Sequence, residues 1–184
     1  MNRIIILDID GVLISGRAAL LDYNLGGSGT FKCFDPVAVA LLNHALEFTY
    51  AKLVIASSWR HTFSRNQFID IFKINGLNPT ILEGDQWKTP VAETRGEEIK
   101  KWLKLNCGQY SYFCYVDDAF VEPDIVEEYV GYVKVDYNAG LSLENFFEIM
   151  KFLGHSKQET NQLLVEKRKT LLSKVHEINR MVRS

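Results

Sequence analysis

Two pairs of aspartates stand where apolar segments of the sequence end. Asp8 and Asp10 follow the run IIIL, and Asp117 and Asp118 follow the run YFCYV. Side chains alternate along an extended strand, so Asp8 and Asp10 can point to one place while Ile9 faces the core. Two carboxylates that share a site repel each other unless a cation lies between them. An oxygen-rich site of this kind suits Mg²⁺.

The structural alternative is that these aspartates cap turns, as Asp often does after a strand. A single Asp-x-Asp would be interpreted in that way. The second acidic pair follows a different predicted strand, and the combination favours a metal site.

Short apolar segments rich in β-branched or aromatic residues predict buried parallel strands. They cover residues 4–7, 53–56, 112–116 and 132–135. Helical patterns separate them, which predicts an α/β fold: a Rossmann-like three-layer sandwich with a parallel central sheet. Ligands in such folds bind at the carboxyl ends of the strands, where Ser57 and Ser58 also occur.

Start and stop signals mark the predicted helices. Asp35 and Pro36 supply an N-cap and a first helical residue, and Thr94 with Glu97 forms a capping-box pattern. The Asn-Gly pair at 75–76 is typical of a helix end. The elements therefore alternate as the parallel sheet requires.

The acidic pairs form part of a longer ordered pattern. DIDGV begins at Asp8, LVIASSWR closes the second strand, RGEEIKKWL begins at Arg95, and VDD ends at Asp118. In order and spacing, residues 4 to about 150 resemble the four motifs of the haloacid dehalogenase (HAD) superfamily of phosphotransferases. SSWR, RGEEI and YVDDA look most like the branch described as the phosphatase domain of multi-domain RNA repair proteins.

The resemblance implies a phosphatase with Asp8 and Asp10 as catalytic residues. Asp8 would be the nucleophile that forms an aspartyl-phosphate, and Asp10 would protonate the leaving oxygen and then activate water. Ser57 would hydrogen-bond a phosphoryl oxygen, and Arg95 would neutralise it. Attack on phosphate by a carboxylate needs such cations and donors, because both reactants are negatively charged.

The resemblance also implies a Mg²⁺ site. Asp8, Asp117 and the backbone carbonyl of Asp10 would hold the ion, with Asp118 as a direct or outer ligand. Dehalogenases of this superfamily lack the second acid, so Asp10 favours phosphate esters over carbon-halogen substrates.

Two of these assignments leave alternatives open. Ser57 follows its strand directly and is preferred over Ser58, which would instead cap the turn. Arg95 opens a helix, and a guanidinium can hold two phosphate oxygens, but Lys88 lies close in the sequence. Arg95 could also be an ordinary surface residue of its helix.

Four further residues lie near the same predicted edge of the sheet. Arg60 could contact substrate, whereas His61 is more often a solvated histidine. Trp59 is expected to pack in the core rather than to stack on a base. Asp136 is expected to cap the loop that follows the fourth strand.

Length and composition fit one ordinary globular domain. The 184 residues are 47% hydrophobic, enough for a full core. No apolar run approaches the roughly 18 residues of a membrane span, and Asp8 and Asp10 interrupt the first one. We therefore expect a cytoplasmic protein with no membrane partner. Cys33, Cys107 and Cys114 are widely spaced and are expected to be reduced thiols packed in the interior.

We divide the chain into a HAD-like phosphatase domain, 1–154, and a C-terminal helical extension, 155–184. Within the domain, residues 11–34 form a small cap insertion after the first strand, and a further insertion lies near 77–93. The extension is one long amphipathic helix with 7 Lys and Arg against 3 Asp and Glu. We expect it to dock on the body or to pair with a second copy, which would give a homodimer.

A small cap leaves the site open, which suits a bulky substrate such as a nucleic-acid end or a protein better than a sugar phosphate that must be enclosed. Our hypothesis is a nucleotide or polynucleotide end. Two other functions remain. The chain could be a phosphate-binding regulatory module without turnover, although every catalytic position is filled. It could instead bind nucleic acid through its basic tail helix.

Overall fold

A four-stranded parallel sheet lies at the centre of the computed structural model, which describes residues 2–24, 34–78, 80–119 and 131–183. The strands are β1 Arg3–Leu7, β2 Lys52–Ile55, β3 Tyr112–Asp117 and β4 Gly131–Lys134. Their order is β2-β1-β3-β4, and all neighbours are parallel. Each strand lies within one residue of its predicted bounds, so the predicted sheet is confirmed.

Helices cover both faces of this sheet. They are α1 Gly16–Asn24, α2 Pro36–Thr49, α3 Arg65–Ile74, α4 Arg95–Leu105, α5 Leu143–Phe152 and α6 Lys157–Arg183. The chain moves one way across the sheet from β1 to β2 and the other way from β2 to β3. Right-handed crossovers therefore place α2 on one face and α3 and α4 on the other. The predicted three-layer α/β fold is confirmed.

The sequence of β1 suits its central position. Ile4, Ile5, Ile6 and Leu7 are completely buried, because β2 and β3 flank the strand and helices cover both of its faces. Burying a side chain of this size contributes about 1.5–3 kcal/mol. The apolar run thus fixes β1 in the middle of the sheet and presents the next residue, Asp8, at its carboxyl end.

The predicted helix starts are confirmed, with one correction. The Asp35 side chain caps α2, and Pro36 is the first residue of that helix. Thr94 caps α4 by accepting the Glu97 N–H at 3.2 Å. The Glu97 carboxylate, however, accepts the N–H of Glu93 at 3.2 Å. The return bond from Glu97 to Thr94 in the predicted capping box is therefore replaced by a bond one residue earlier.

The start of the predicted cap insertion is tied to Asp35, the N-cap residue of α2. Ser15 Oγ donates to Asp35 Oδ2 at 2.9 Å, and Arg17 Nε donates to the same oxygen at 2.5 Å. Burial opposes ionisation, but the hydrogen bonds from Arg17 and Ser15 hold the pKa of Asp35 below its ordinary value. The part of the predicted insertion between 25 and 33 lies outside the described residues.

The segment near 77–93 runs along the outer edge of β2. Leu53 N donates to Thr80 O at 2.8 Å, and Thr89 N donates to Ile55 O at 3.0 Å. These bonds cover an edge that would otherwise expose unpaired backbone groups. They also bring the segment that precedes α4 beside the end of β2.

The long C-terminal helix, α6, contacts the body through its first turns. Thr160 is completely buried, Leu163 and Leu164 pack against the core, and Lys167 Nζ lies 2.6 Å from Glu47 Oε2. Further along, apolar side chains are about half exposed or more: Leu171, Leu172, Val175, Ile178 and Met181. Docking of the helix start is thus observed, whereas pairing with a second copy remains a prediction.

The cysteine prediction holds in part. Cys114 is buried in β3, but Cys107 is exposed in the turn after α4, so its predicted interior position is wrong. Cys33 lies outside the described residues. Within the described ranges, no helix is both long and apolar enough to cross a membrane.

Candidate active site

The backbone at the carboxyl edge of the sheet continues its hydrogen bonding beyond the strands. Asp8 N donates to Val116 O at 3.0 Å, and Ala56 N donates to Leu7 O at 2.9 Å. These bonds fix the residues after β1 and β2 side by side. Asp8 is therefore held beside Asp117, the last residue of β3, while Ser57 follows the strand on the other side of β1. All three residues are buried.

Three carboxylates converge at this edge. Oxygens of Asp8, Asp117 and Asp118 lie within 4.8 Å of one another. The structure therefore brings together the two acidic groups that are far apart in the sequence. The Asp10 side chain is not part of this cluster; the metal-binding role predicted for Asp10 used its backbone carbonyl.

Gly11 makes room for one of these carboxylates. Its φ is +72°, and a Cβ on its backbone would stand 2.3 Å from Cγ of Asp118. Glycine is the residue that tolerates both this conformation and this approach. The Gly of DIDGV therefore allows the Asp118 side chain to approach the turn after β1.

Two of the clustered carboxylates, those of Asp8 and Asp117, have raised pKa values. Burial, with the nearby charge of Asp117, raises the pKa of Asp8 to about 7, although Arg95 opposes the shift. Burial also raises the pKa of Asp117 to about 6, against a hydrogen bond from Ala119 N and the charge of Arg95. A divalent cation would relieve this repulsion, so the oxygen ligands present fit Mg²⁺.

Asp117 is oriented by three groups. Ala119 N donates to its Oδ1 at 2.7 Å, and the hydroxyl of Tyr115 donates to its Oδ2. Arg95 Nε lies 3.3 Å from the same Oδ2. Tyr115 precedes Asp117 by two positions on β3, so both side chains project from the same face.

Asp10 has an exposed side chain held by a tryptophan. The indole N–H of Trp59 donates to the Asp10 carboxylate. Burial raises the pKa of Asp10, the Trp59 hydrogen bond opposes that shift, and the charge of Asp118 adds to it. Trp59 is half buried and its ring packs 5.7 Å from that of Phe63. The expectation that Trp59 packs against the core is therefore confirmed, and its hydrogen bond to Asp10 is an additional contact.

Arg95, the first residue of α4, reaches the acidic cluster. Its Nη2 lies 3.3 Å from Asp8 Oδ1. Lys88, the alternative considered from the sequence, instead donates from Nζ to the Arg60 carbonyl at 3.3 Å and lies 5.0 Å from the centre of the Trp87 ring. The geometry favours Arg95 as the cation nearest Asp8.

The two serines after β2 differ in their surroundings. Ser57 is completely buried. Its Oγ accepts a hydrogen bond from the backbone N–H of Trp59 at 3.4 Å, which caps the 3₁₀ turn Ser58–His61. Ser58 is exposed. The expectation that Ser58 caps this turn is therefore wrong, because Ser57 does so. The Ser57 hydroxyl proton can still be donated to a ligand.

The remaining predicted residues are placed as follows. Arg60 is buried with its side chain 1% exposed, so it does not face a substrate as its sequence position suggested. His61 is exposed. Asp136 accepts the N–H groups of Asn138 and Ala139 at 2.9 and 3.0 Å, which confirms the predicted loop cap.

The sequence did not predict three contacts of the site: Trp59 with Asp10, Tyr115 with Asp117, and Glu98 with Arg95. For Tyr115 and Glu98, the spacing from a predicted site residue could have indicated the contact. Tyr115 is two positions from Asp117 on a strand, and Glu98 is three positions from Arg95 on a helix, so each pair shares a face.

The fold and the acidic edge of the sheet define an α/β domain of the HAD type. The sequence model for the HAD domain in Swiss Army Knife RNA repair proteins matches residues 4–146, and the chain belongs to this family. No curated protein and no solved structure matches the chain. Family membership supports a HAD-type phosphatase as the general class of activity, with a phosphate ester as substrate.

Proposed function

We propose that this protein is a Mg²⁺-dependent phosphomonoesterase that forms an aspartyl-phosphate on Asp8 and acts on nucleotide or polynucleotide ends. One observation carries the proposal. Carboxylate oxygens of Asp8, Asp117 and Asp118 lie within 4.8 Å of one another, and Arg95 Nη2 lies 3.3 Å from Asp8. A carboxylate beside both a cation site and a guanidinium is suited to attack phosphorus.

The three clustered aspartates, with the backbone carbonyl of Asp10, would hold the ion. Bound Mg²⁺ would supply positive charge that offsets the repulsion between the carboxylate and the phosphate. The raised pKa values of Asp8 and Asp117 support such a site, because a nearby divalent charge favours their ionised forms.

Asp8 and Asp10 divide the chemistry between two steps. In the first, an Asp8 oxygen forms a bond to phosphorus, the bond to the ester oxygen breaks, and Asp10 gives that oxygen its proton. In the second, Asp10 takes a proton from water, whose oxygen attacks phosphorus and releases phosphate from Asp8. The indole N–H of Trp59 would hold the Asp10 carboxylate in place during both steps.

Ser57 and Arg95 would bind the transferring phosphoryl group. Arg95 already lies against Asp8, so its guanidinium is near the place where negative charge develops. Such preorganised donors stabilise a phosphoryl-transfer transition state without moving during the reaction.

Nucleotide or nucleic-acid ends are the substrate class that we propose. The family description refers to RNA repair proteins. Asp10 and Ser58 are exposed at the carboxyl edge, which suits a substrate whose bulk stays outside the site. RNA repair in the cytoplasm is the setting that we propose for this activity.

The test is phosphate release from a panel of mononucleotides, 3'- and 5'-phosphorylated oligonucleotides, sugar phosphates and phosphopeptides, with Mg²⁺ or with EDTA. We expect Mg²⁺-dependent release that is fastest with the nucleotide or oligonucleotide substrates. Asp8→Asn should lower kcat by at least about 10³-fold, because it removes the nucleophile. Asp70→Asn, on the exposed side of α3, is the control. Equal rates for Asp8→Asn and wild type would refute the mechanism.

A further inference from the structure

A buried arginine joins the turn after β2 to two other parts of the chain. Arg60 Nε donates to Thr89 O at 3.1 Å, and its Nη1 donates to the carbonyls of Ala56 and Ser57 at 2.6 and 2.8 Å. These three carbonyls belong to the end of β2 and to the segment that precedes α4. Because its guanidinium is rigid and has five donors, one arginine can fix all of them at once.

The same guanidinium pairs with a buried carboxylate on α4. Arg60 Nη2 lies 2.5 Å from Glu98 Oε1, and the Glu98 side chain is 11% exposed. The other carboxylate oxygen, Oε2, accepts a hydrogen bond from Arg95 Nη1 at 3.0 Å. Glu98 therefore connects the buried Arg60 to Arg95, the arginine that lies against Asp8.

This connection determines which edge of Arg95 faces the acidic cluster. Its Nη1 is held by Glu98 and by the Ala56 carbonyl. Nε and Nη2 are directed instead to Asp117 and Asp8, each at 3.3 Å. A long side chain that is free to rotate would lose entropy on binding phosphate, whereas one that is already held does not.

Stability alone gives a weak reason for such an arrangement. Buried ion pairs are often no better for stability than apolar side chains of similar volume, because taking charges out of water is costly. Burial lowers the pKa of Arg60 and the charge of Glu98 opposes that shift, so Glu98 compensates a charge that would otherwise be isolated. The benefit that the geometry suggests is the fixed orientation of Arg95.

We propose that Arg60 and Glu98 are positioning residues that orient Arg95 for the phosphoryl group and do not contact substrate themselves. This inference rests on the proposed function, in which Arg95 binds phosphate. It assigns to the Arg of SSWR a task different from the direct substrate contact that its sequence position suggested.

The test is a double-mutant cycle. Glu98→Gln, which keeps the shape of the side chain, and Arg60→Lys, which keeps the charge, are each made with Arg95 intact and in an Arg95→Met background. Hydrolysis of 4-nitrophenyl phosphate with Mg²⁺ and the binding of inorganic phosphate are measured. Both are measured at a temperature where thermal melts show each variant folded.

With Arg95 intact, we expect each substitution to lower kcat/KM by about 10- to 100-fold, because a misplaced guanidinium loses transition-state contacts. Phosphate binding should weaken as well. In the Arg95→Met background each substitution should lower kcat/KM by less than about threefold, because the Arg95 guanidinium is no longer there to be oriented. A merely structural role would give the same loss in both backgrounds and would overturn the inference.

Two matched controls use residues away from the cluster. Glu97→Gln alters the neighbouring glutamate of α4, which accepts the Glu93 N–H. Arg65→Lys alters another arginine that donates to backbone carbonyls, those of Leu82 and Ile81 at 2.6 and 3.0 Å. Both controls should retain kcat/KM within about twofold of wild type.

The outcomes separate the inference from the function beneath it. A wild-type protein that hydrolyses phosphate esters, with folded Glu98→Gln and Arg60→Lys variants equally active, would overturn the positioning role alone. A wild-type protein that neither hydrolyses the ester nor binds phosphate would overturn both.

Discussion

Gly11 and Asp118 approach so closely that a Cβ on Gly11 would stand 2.3 Å from Cγ of Asp118. Gly11→Ala should therefore displace the Asp118 carboxylate from the cluster. We expect the Mg²⁺ concentration that gives half-maximal activity to rise by about 10-fold or more, as for other changes that disturb the orientation of metal ligands. A Mg²⁺ titration of activity measures this shift.

Gly108→Ala separates backbone strain from the contact. Gly108 also has a positive φ, +77°, but nothing lies within 4 Å of the position that its Cβ would occupy. An alanine in this conformation costs roughly 1–2 kcal/mol of stability in either variant. If both variants shift the Mg²⁺ titration equally, the close approach of Asp118 has no part in metal binding.

Tyr115→Phe should weaken Mg²⁺ binding without changing the ligands. The Tyr115 hydroxyl donates to Asp117 Oδ2, and the residue is 1% exposed, so phenylalanine fills the same buried space. Losing the bond should cost about 1 kcal/mol of stability and raise the Mg²⁺ requirement about 10-fold. The measurements are urea unfolding and calorimetric Mg²⁺ titration.

Tyr110→Phe is the matched control for Tyr115→Phe. It removes a hydrogen bond of similar kind, from the Tyr110 hydroxyl to Gln86 Oε1 at 3.1 Å, away from the cluster. It should cost stability and leave Mg²⁺ binding unchanged. Unaltered Mg²⁺ affinity in Tyr115→Phe would show that Asp117 needs no such support.

Trp59→Phe should slow the reaction because it removes the indole N–H that donates to the Asp10 carboxylate. The ring would still pack on Phe63, whose centroid lies 5.7 Å away, but the donor to the carboxylate would be lost. A hydrogen bond worth about 0.5–1.5 kcal/mol corresponds to a loss of about 2- to 12-fold in kcat. Steady-state kinetics on the best substrate of the panel measures it.

Trp102→Phe controls for the loss of an indole hydrogen bond. Trp102 is buried on α4, and its Nε1 donates to Gln86 O at 2.9 Å. Its replacement should lower stability and leave kcat unchanged. A wild-type kcat for Trp59→Phe would mean that Asp10 does not depend on Trp59 for its position.

The fold was largely predictable because its signals are local. The IIIL run requires burial on both faces, and Asp35-Pro36 begins a helix wherever the chain then goes. The convergence of Asp8 with Asp117 was predictable for a related reason, since parallel strands bring their carboxyl ends to one edge.

The supporting contacts were much harder to predict. That Trp59 reaches Asp10 as well as the core depends on how the 3₁₀ turn after Ser57 is oriented, and Ser57 itself caps that turn. The charge of Arg60 and its position after the serines predict a substrate contact that the structure does not show. Arg60 is buried as an ion pair with Glu98. This pair forms only because α4 packs beside the end of β2, and the sequence alone does not predict that packing.

Without metal, the stability of the protein should depend on pH through Asp8. The pKa of Asp8 is raised from 3.8 to about 7, chiefly by burial and by the charge of Asp117. Between these values the folded state holds more protons than the unfolded state, so the contribution of Asp8 to stability falls as pH rises from about 4 to about 7. Urea unfolding in EDTA should therefore show a smaller stability advantage of wild type over Asp8→Asn at pH 7.5 than at pH 5.

Saturating Mg²⁺ should reverse this trend in wild type, because it binds the ionised carboxylates. At 100 times its dissociation constant, Mg²⁺ adds about 2.7 kcal/mol to the free energy of unfolding. If the stability advantage of wild type over Asp8→Asn grows with pH in EDTA, the pKa of Asp8 is not raised in the folded protein.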